Sequence, residues 1–436
     1  MLSSLAGSMK VNDLRQRILF IFWGLFVFVL AVNINIPGIN LDVWHALLRK
    51  GELGKFLNMF TGGALDNFSI IAMGITPYIN ASIIMQLLTV VVPKLQELQK
   101  EGGEEGRQKI SQYIRSLTIV LALVQGTMMT LSLTRYRGES GQSVFMVEGM
   151  FFYITVVLAL TAGTAFLMWL GEQITDKGIG NGVSLIIFAG IVLRYPEYIA
   201  RTFKEVSAKG YMFGINIVLF IIIAIFLIMA IIMLNQGQRR VPVQYAKRVV
   251  GRRVFGGQST YIPIRVNNAG VISIIFAISI LMLPNTLFSY LPQPAIGTFW
   301  MKIYTFLLAM FDPNLIWYNL FYFLLVVFFT YFYSFITFNI SDISDNMKKY
   351  GGFIPGIRPG RPTAEYMERI LYRVTFIAAI ALGIIAVFPT YVMMLTKVSS
   401  FYLGSTSLLI IVGVALDTMQ QIEARLVMRH YQGFMK

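Results

Sequence analysis

The stretch that decides the fold is Gly210-Tyr-Met-Phe-Gly-Ile-Asn-Ile-Val-Leu-Phe-Ile-Ile-Ile-Ala-Ile-Phe-Leu-Ile-Met-Ala-Ile-Ile-Met-Leu-Asn-Gln-Gly-Gln238. It lies between Lys209 and Arg239 and contains no Asp, Glu, Lys or Arg. A bilayer core about 30 Å thick is crossed by roughly 20 apolar residues at 1.5 Å each, so this run can span it. A charge near the bilayer centre costs about 2.5–3.5 kcal/mol on insertion scales, which makes charge-free runs the cleanest signal.

Nine further long runs carry no charge: 18–41, 67–93, 116–134, 149–171, 178–193, 266–301, 313–341, 374–396 and 398–416. The stretches 254–264 and 303–311 are too short to cross. Ten transmembrane helices are therefore expected, in an all-α polytopic membrane protein. The weakest run, 178–193, opens on Gly178-Ile-Gly-Asn-Gly182; the longest, 266–301, reads as one helix and then a Pro-rich exterior loop with Pro284, Pro292 and Pro294. Composition agrees. Of 436 residues 56% are apolar and only 13% charged, about half the roughly 25% of a soluble domain. Without cysteine there is no disulfide framework, iron–sulfur cluster or thiolate zinc site, and His45 and His430 lack any metal-binding pattern. No cofactor or metal is expected.

Ten crossings put both termini on one side, and the positive-inside rule chooses which. With the N-terminus cytoplasmic, that side receives 25 Lys/Arg and 13 Asp/Glu, the other 11 and 8. The expected orientation is N-in and C-in. No cleavable signal peptide is expected, because the first run spans and ends in Asn33, Asn35 and Ile36-Pro-Gly38.

The expected organisation is an N-terminal half, 1–193, with helices one to five, and a C-terminal half, 210–436, with helices six to ten. Between them lies an exterior connector, 194–209, of mixed charge. Halves of five helices have opposite topologies, the layout of an inverted repeat. Two cytoplasmic loops stand out. Residues 236–268 hold seven basic residues and no acidic one, with a hairpin expected around Gly251; residues 342–373 contain the stiff turn Gly351-Gly-Phe-Ile-Pro-Gly-Ile-Arg358-Pro-Gly-Arg361-Pro. Positive-inside placement and attraction to anionic lipid explain the sign of the charge. A docking surface for a large cytoplasmic partner explains the length and turn chemistry as well.

Mid-membrane carboxylates, basic groups and Ser/His constellations are missing, which argues against an ion-coupled transporter and an intramembrane protease. Gly178–Gly182 reads as helix-start glycines rather than a phosphate loop, since no P-loop lysine follows. Uncharged polar residues do occur in the spans: Asn33, Asn35, Thr76, Asn80, Gln86, Gln125, Thr161, Thr164, Asn267 and Asn268. Singly they read as interhelical hydrogen bonds. The segment 55–67, with Gly62-Gly63, reads either as an interfacial helix or as a small element folded back into the bundle.

The chain resembles the SecY family, the channel subunit of the bacterial Sec protein translocase, from about Leu14 to Gln421. The resemblance rests on Ile36-Pro-Gly38, Asn58-Met-Phe-Thr-Gly-Gly-Ala-Leu65, Thr76-Pro-Tyr-Ile-Asn-Ala-Ser82 and Gln86-Leu-Leu88. It continues through Gly178–Gly182, Gly237-Gln-Arg-Arg240, Tyr245-Ala-Lys-Arg248, Gly251-Arg-Arg253, Gly257-Gln-Ser-Thr260, Pro355-Gly-Ile-Arg-Pro-Gly360 and Gly404-Ser-Thr-Ser-Leu-Leu-Ile410.

The resemblance implies a clamshell of two inverted five-helix halves around an hourglass pore, with no enzymatic activity of its own. Such a channel passes unfolded secretory polypeptides across the cytoplasmic membrane and releases transmembrane segments sideways into lipid. Its pore ring would be Ile75, Ile79, Ile187, Ile275 and Ile410. Its plug would span about 56–67, with Phe60, Thr61, Gly62, Gly63, Ala64 and Leu65. Its lateral gate would use Asn80, Gln86, Gln125 and Asn267. Arg239, Arg240, Arg252, Arg253 and Arg358 would dock the SecA ATPase or ribosomal RNA phosphates, and small SecE- and SecG-like subunits would accompany it. One departure stands out: Ser273 occupies a position where the family pattern leads us to expect proline, which would kink the seventh helix.

Overall fold

A computed structural model describes residues 11–50, 58, 61–100, 102–136, 142–245, 248–250, 253–255, 259–290, 299–310, 315–396 and 405–433. Its elements are α1 (Asn12–Val32), α2 (Leu41–Lys50), α3 (Thr76–Val91), α4 (Pro93–Lys100), α5 (Gly103–Arg135), α6 (Met150–Lys177), α7 (Gly182–Lys209) and α8 (Tyr211–Gln236). Four strands follow, β1 (Gln238–Tyr245), β2 (Arg248–Val250), β3 (Arg253–Phe255) and β4 (Ser259–Arg265). Then come α9 (Ile272–Tyr290), α10 (Phe299–Met310), α11 (Ile316–Thr337), α12 (Ile340–Lys349), β5 (Gly352–Phe353), α13 (Arg361–Thr396) and α14 (Ser405–Gly433).

Each of the ten charge-free runs contains a helix. Among the described residues eight helices are long and apolar enough to cross a membrane, or nine if the bent pair α3–α4 counts as one span. The remaining run holds the shorter apolar stretch Ile272–Met282. The α3–α4 bend of 103° has a local cause. Val92 precedes Pro93 and takes an extended conformation, φ −97° and ψ 113°, because the proline ring disfavours the helical one.

Several helices outrun their apolar stretch. α7 does not end near Leu193 but continues through Arg194 and Pro196 to Lys209, so the expected connector is helical. Paired charges on one face make this possible: Glu197 bridges Arg194 and Arg201 at i,i+3 and i,i+4 spacing. α9 likewise carries Pro284 inside the helix instead of in a following loop.

Ser273 also changes meaning. It is the second residue of α9, in the first turn, where backbone N–H groups have no partner four residues back. A proline there would remove no intrahelical hydrogen bond, so the expected kink does not follow. The serine side chain is buried, with its hydroxyl 3.4 Å from the Gly270 carbonyl.

The described residues form two compact units, drawn from Met1–Gly214, Ile278–Leu315 and Ser399–Lys436 in one, and from Ile215–Ala277 and Ile316–Val398 in the other. In the first, α7 packs on α6 and α14, and α5 on α3 and α6. The turn Gly178–Gly182 joins three of its helices. Asn181 Oδ1 caps Ser184 N–H at 3.1 Å, and Gly180 N–H donates to Gln421 Oε1 at 2.9 Å. Arg17 donates to the Gly178 carbonyl at 3.3 Å. At Gly182 an added Cβ would stand 2.0 Å from the Gly171 carbonyl oxygen, so only glycine permits that approach of α7 to α6. The helix-start reading of these glycines holds.

The expectation of interhelical bonds does not hold for several polar span residues. Thr161 and Thr164 donate to the Val157 and Leu160 carbonyls, and Asn33 to that of Val29, each four residues back along its own helix. The nearest acceptor in a dry environment is the helix's own backbone or preceding turn, which satisfies the group without a neighbour. Asn267 differs. Its Nδ2 donates to Asn235 Oδ1 at 2.6 Å, tying the start of the seventh run to the end of α8.

In the second unit α11 packs along α13, and the two basic loops form one small sheet of order β4-β1-β5. β1 pairs antiparallel with β4 from Gln238↔Arg265 to Gln244↔Ser259, and with β5 through Gln244↔Phe353 and Tyr245↔Gly352. β2 and β3 close the hairpin expected around Gly251. Alternation along β1 turns Val241 and Val243 inward, where they pack with Ile264, Ile340, Met347, Ile354, Met367 and Leu371. Among the described residues β-structure is confined to this sheet, the separate β2–β3 pair and two isolated bridges, Asn35↔Ser69 and Ile39↔Phe145. The spans are helical.

Candidate functional site

The five candidate ring isoleucines are all buried, with Ile187 and Ile410 at 1% and 0% exposure. Ile75 and Ile79 flank the start of α3, where Pro77 is pre-shaped for the first helical turn. Ile187 lies on α7 and Ile410 on α14, two helices in direct contact. These four belong to the first unit, whereas Ile275, on the first turns of α9, belongs to the second.

The segment before α3 is folded into the first unit. Asn58, Thr61, Ala64 and Leu65 are buried, as is Phe68, which meets the Trp44 ring edge-on at 5.0 Å. That excludes an interfacial helix lying on lipid for these residues. The candidate plug residue Phe60 lies outside the described residues. A tight set of turns organises the rest. Gly63 N–H donates to the Asn58 carbonyl at 3.0 Å, and Ser69 N–H to Ala64 at 2.9 Å. Asp66 N–H donates to Asn58 Oδ1 at 3.0 Å. Gly62 and Gly63 have φ of +65° and +93°, left-handed conformations that a side chain would strain.

Neighbours clamp this segment from two sides. From α2, Trp44 Nε1 donates to the Leu65 carbonyl at 2.7 Å, and His45 Nε2, in the tautomer protonated there, to that of Asp66 at 3.1 Å. From α7, Arg194 forms an ion pair with Asp66 while also pairing with Glu197. Sequence reading placed Arg194 and Glu197 in a connector and missed Trp44, Asp66 and this contact. The available signal was the i,i+3,i+7 spacing of Arg194, Glu197 and Arg201, which marks a helix.

Of the candidate gate amides, Asn80 is buried, Gln86 and Gln125 are half-buried, and Asn267 is buried with a local role. Its Oδ1 accepts from Gly270 N–H at 3.0 Å, organising the turn into α9. Asn80, Gln86 and Gln125 lie in the first unit and Asn267 in the second.

Of the candidate docking arginines, Arg239, Arg240 and Arg358 are exposed. The guanidinium of Arg240 stacks on Tyr261 at 4.8 Å, which restrains it while leaving its charge in water. Arg253 lies on β3, with its side chain outside the described residues, and Arg252 is outside them altogether. The sheet ties the loop that carries Arg239 and Arg240 to the loop that carries Arg358. Sequence reading treated the loops separately, because β5 is only two residues long and has no strand pattern.

A family model described as SecY matches residues 69–419. The chain belongs to the SecY family. It is 45% identical over 441 residues to the protein translocase subunit SecY of Thermotoga maritima, covering 99% of this chain and 97% of that protein. To the SecY subunit of Mycobacterium bovis it is 42% identical over 451 residues, covering both chains fully. Among solved structures, a protein-conducting channel matches with a TM-score of 0.63 at 17% identity, covering 94% of this chain and 92% of that one. A SecY protein whose plug domain is described as stabilising the closed state matches with the same score at 16% identity and the same coverage. Sec61 from the canine ribosome–channel complex matches with a TM-score of 0.57 at 16% identity, again over 94% and 92%. At these identities the structural matches establish the fold: an all-α polytopic membrane protein of the SecY/Sec61 type.

Proposed function

We infer that the chain is the protein-conducting channel subunit of a Sec translocase. It passes unfolded secretory polypeptides across a membrane and releases transmembrane segments into lipid, without catalysing any covalent step. The carrying observation is identity above 40% with protein translocase subunits over essentially the whole chain. The apolar spans agree with that role, since a passive conduit needs no coupling carboxylate at depth.

Within this reading, ten helices cross the cytoplasmic membrane of a bacterium, N-in and C-in, as two inverted five-helix halves. Charge placement supports the orientation. Ile75, Ile79, Ile187, Ile275 and Ile410 form the neck of the pore. Stiff β-branched side chains dewet a narrow passage and yield around any passing residue, because they make no directional bonds. The segment 56–67 is the plug. Asn80, Gln86, Gln125 and Asn267 line the lateral exit, where uncharged amides part at little cost.

The arginines of the two basic loops dock the source of energy, a translating ribosome or the SecA ATPase, and SecE- and SecG-like subunits complete the complex. Arg239, Arg240, Arg252, Arg253 and Arg358 would meet RNA phosphates in a salt-sensitive contact or acidic protein surface. The test is reconstitution of the complex in proteoliposomes with SecA and a signal-bearing precursor. Protease protection of the precursor that depends on this chain supports the reading; equal protection in liposomes lacking it overturns the reading.

A further inference from the structure

Arg194 stands at a junction that none of the pore, gate or docking roles uses. It lies on α7, whose Ile187, Gly190 and Arg194 recur at three- and four-residue spacing and so share one face. The candidate plug segment touches this face at two points. A Cβ on Gly62 would stand 2.9 Å from Gly190 Cα, so the two backbones are in direct contact. A Cβ on Gly63 would stand 2.9 Å from Arg194 Nε and Cζ, so the guanidinium lies flat over that glycine. From there its terminal nitrogens divide: one pairs with Asp66 in the segment, the other with Glu197 on α7.

The pairing is sheltered. The Arg194 side chain is 13% exposed and that of Asp66 30%. In such surroundings a charge-assisted bond is stronger than in open water, and removing one partner leaves the other desolvated. Glu197 in turn pairs with Arg201, which fixes the carboxylate that orients Arg194.

We propose that Arg194 is the positioning residue of the plug, an ion-pair latch that seats the segment against α7 two turns from Ile187. The proposal rests on the reading of this segment as the plug. Displacement of the segment must break the Arg194–Asp66 pair, and Arg194 then retains Glu197, so the released guanidinium is never left without a counter-charge. The latch therefore opens without stranding the Arg194 charge on α7 at the cost that would otherwise block it.

The experiment is a double-mutant cycle in the reconstituted complex, with resting ion leak across planar bilayers as readout. Arg194→Gln and Asp66→Asn are each expected to raise the leak about five- to tenfold, and the double variant no further than the worse single one, the signature of coupled partners. Arg194→Lys, which keeps the charge but loses the fork, should fall between. Additive effects of the two single variants, or a leak unchanged in both, would overturn the latch. Deleting 61–67 separates the two claims. If the deletion raises the leak while the single variants do not, the latch fails and the plug reading stands; if the deletion leaves the leak unchanged, the plug reading itself fails and the latch with it. Thermal unfolding of each purified complex shows that leak does not arise from misfolding.

Discussion

Tyr245 pairs with Gly352, more than a hundred positions further along the chain, which joins the two basic loops into one antiparallel sheet. The consequence is mechanical. Arg239 and Arg240 on β1 and Arg358 just beyond β5 are held by a common apolar core instead of waving on separate tethers. Pre-ordering of charged side chains lowers the entropy lost when a partner binds.

Removing part of that core should weaken docking without touching any arginine. Met367 is fully buried among Val241, Val243, Ile264 and Leu371. Met367→Ala should destabilise the sheet by about 2–5 kcal/mol, the range for such truncations in well-packed cores. Limited proteolysis should then cut within 238–265, and binding to SecA or ribosomes should fall. Unchanged protease resistance would show that the loops do not depend on this core.

Gly163 on α6 offers a second test. An added Cβ would stand 1.9 Å from the Ile70 carbonyl oxygen, a contact no packing adjustment of side chains relieves. Gly163→Ala should push residues 70–75 away from α6 and shift Ile75 at the start of α3. We expect a loss of about 1–3 kcal/mol, typical of overpacking, and a raised resting leak. A wild-type melting temperature together with wild-type leak would contradict the placement of this segment.

Much of the fold was legible because the bilayer imposes a length on apolar runs, and all ten runs contain helices. What charge counting could not reveal was where those helices end. α13 begins at Arg361, well before the charge-free stretch opens at 374, and α7 carries its helix through Arg194 to Lys209. Apolarity reports the lipid contact, whereas helix length also depends on paired charges beyond it. The candidate plug segment, about 56–67, was located by resemblance, but its clamps were not. Trp44, Asp66 and Arg194 come from three separate stretches, and only the folded chain brings them together. The hydroxyls of Thr161 and Thr164 were misjudged for a related reason: a helix offers its own carbonyls nearer than a neighbour does.

Ser273→Pro should be tolerated. Position 273 lies in the first turn of α9, where proline removes no helical bond. The melting temperature should stay within the few degrees that correspond to about 1 kcal/mol, with precursor transport preserved. Proline at Ile278, in the helix interior, is the control and should cost about 3 kcal/mol or more. Equal damage from both would place the start of α9 earlier than Ile272.

The chain has no cysteine, so single cysteines can be placed without background. The most direct test of a conducting channel puts them at Ile79, Ile187 and Ile410, with Phe226 and Met233, exposed on α8, as lipid-facing controls. A secretory precursor carrying its own cysteine is then stalled partway through the reconstituted complex, and disulfide crosslinking is measured. The account predicts crosslinks to the three isoleucine positions and none to the controls. Crosslinks to the controls alone, with none to Ile79, Ile187 or Ile410, would contradict it.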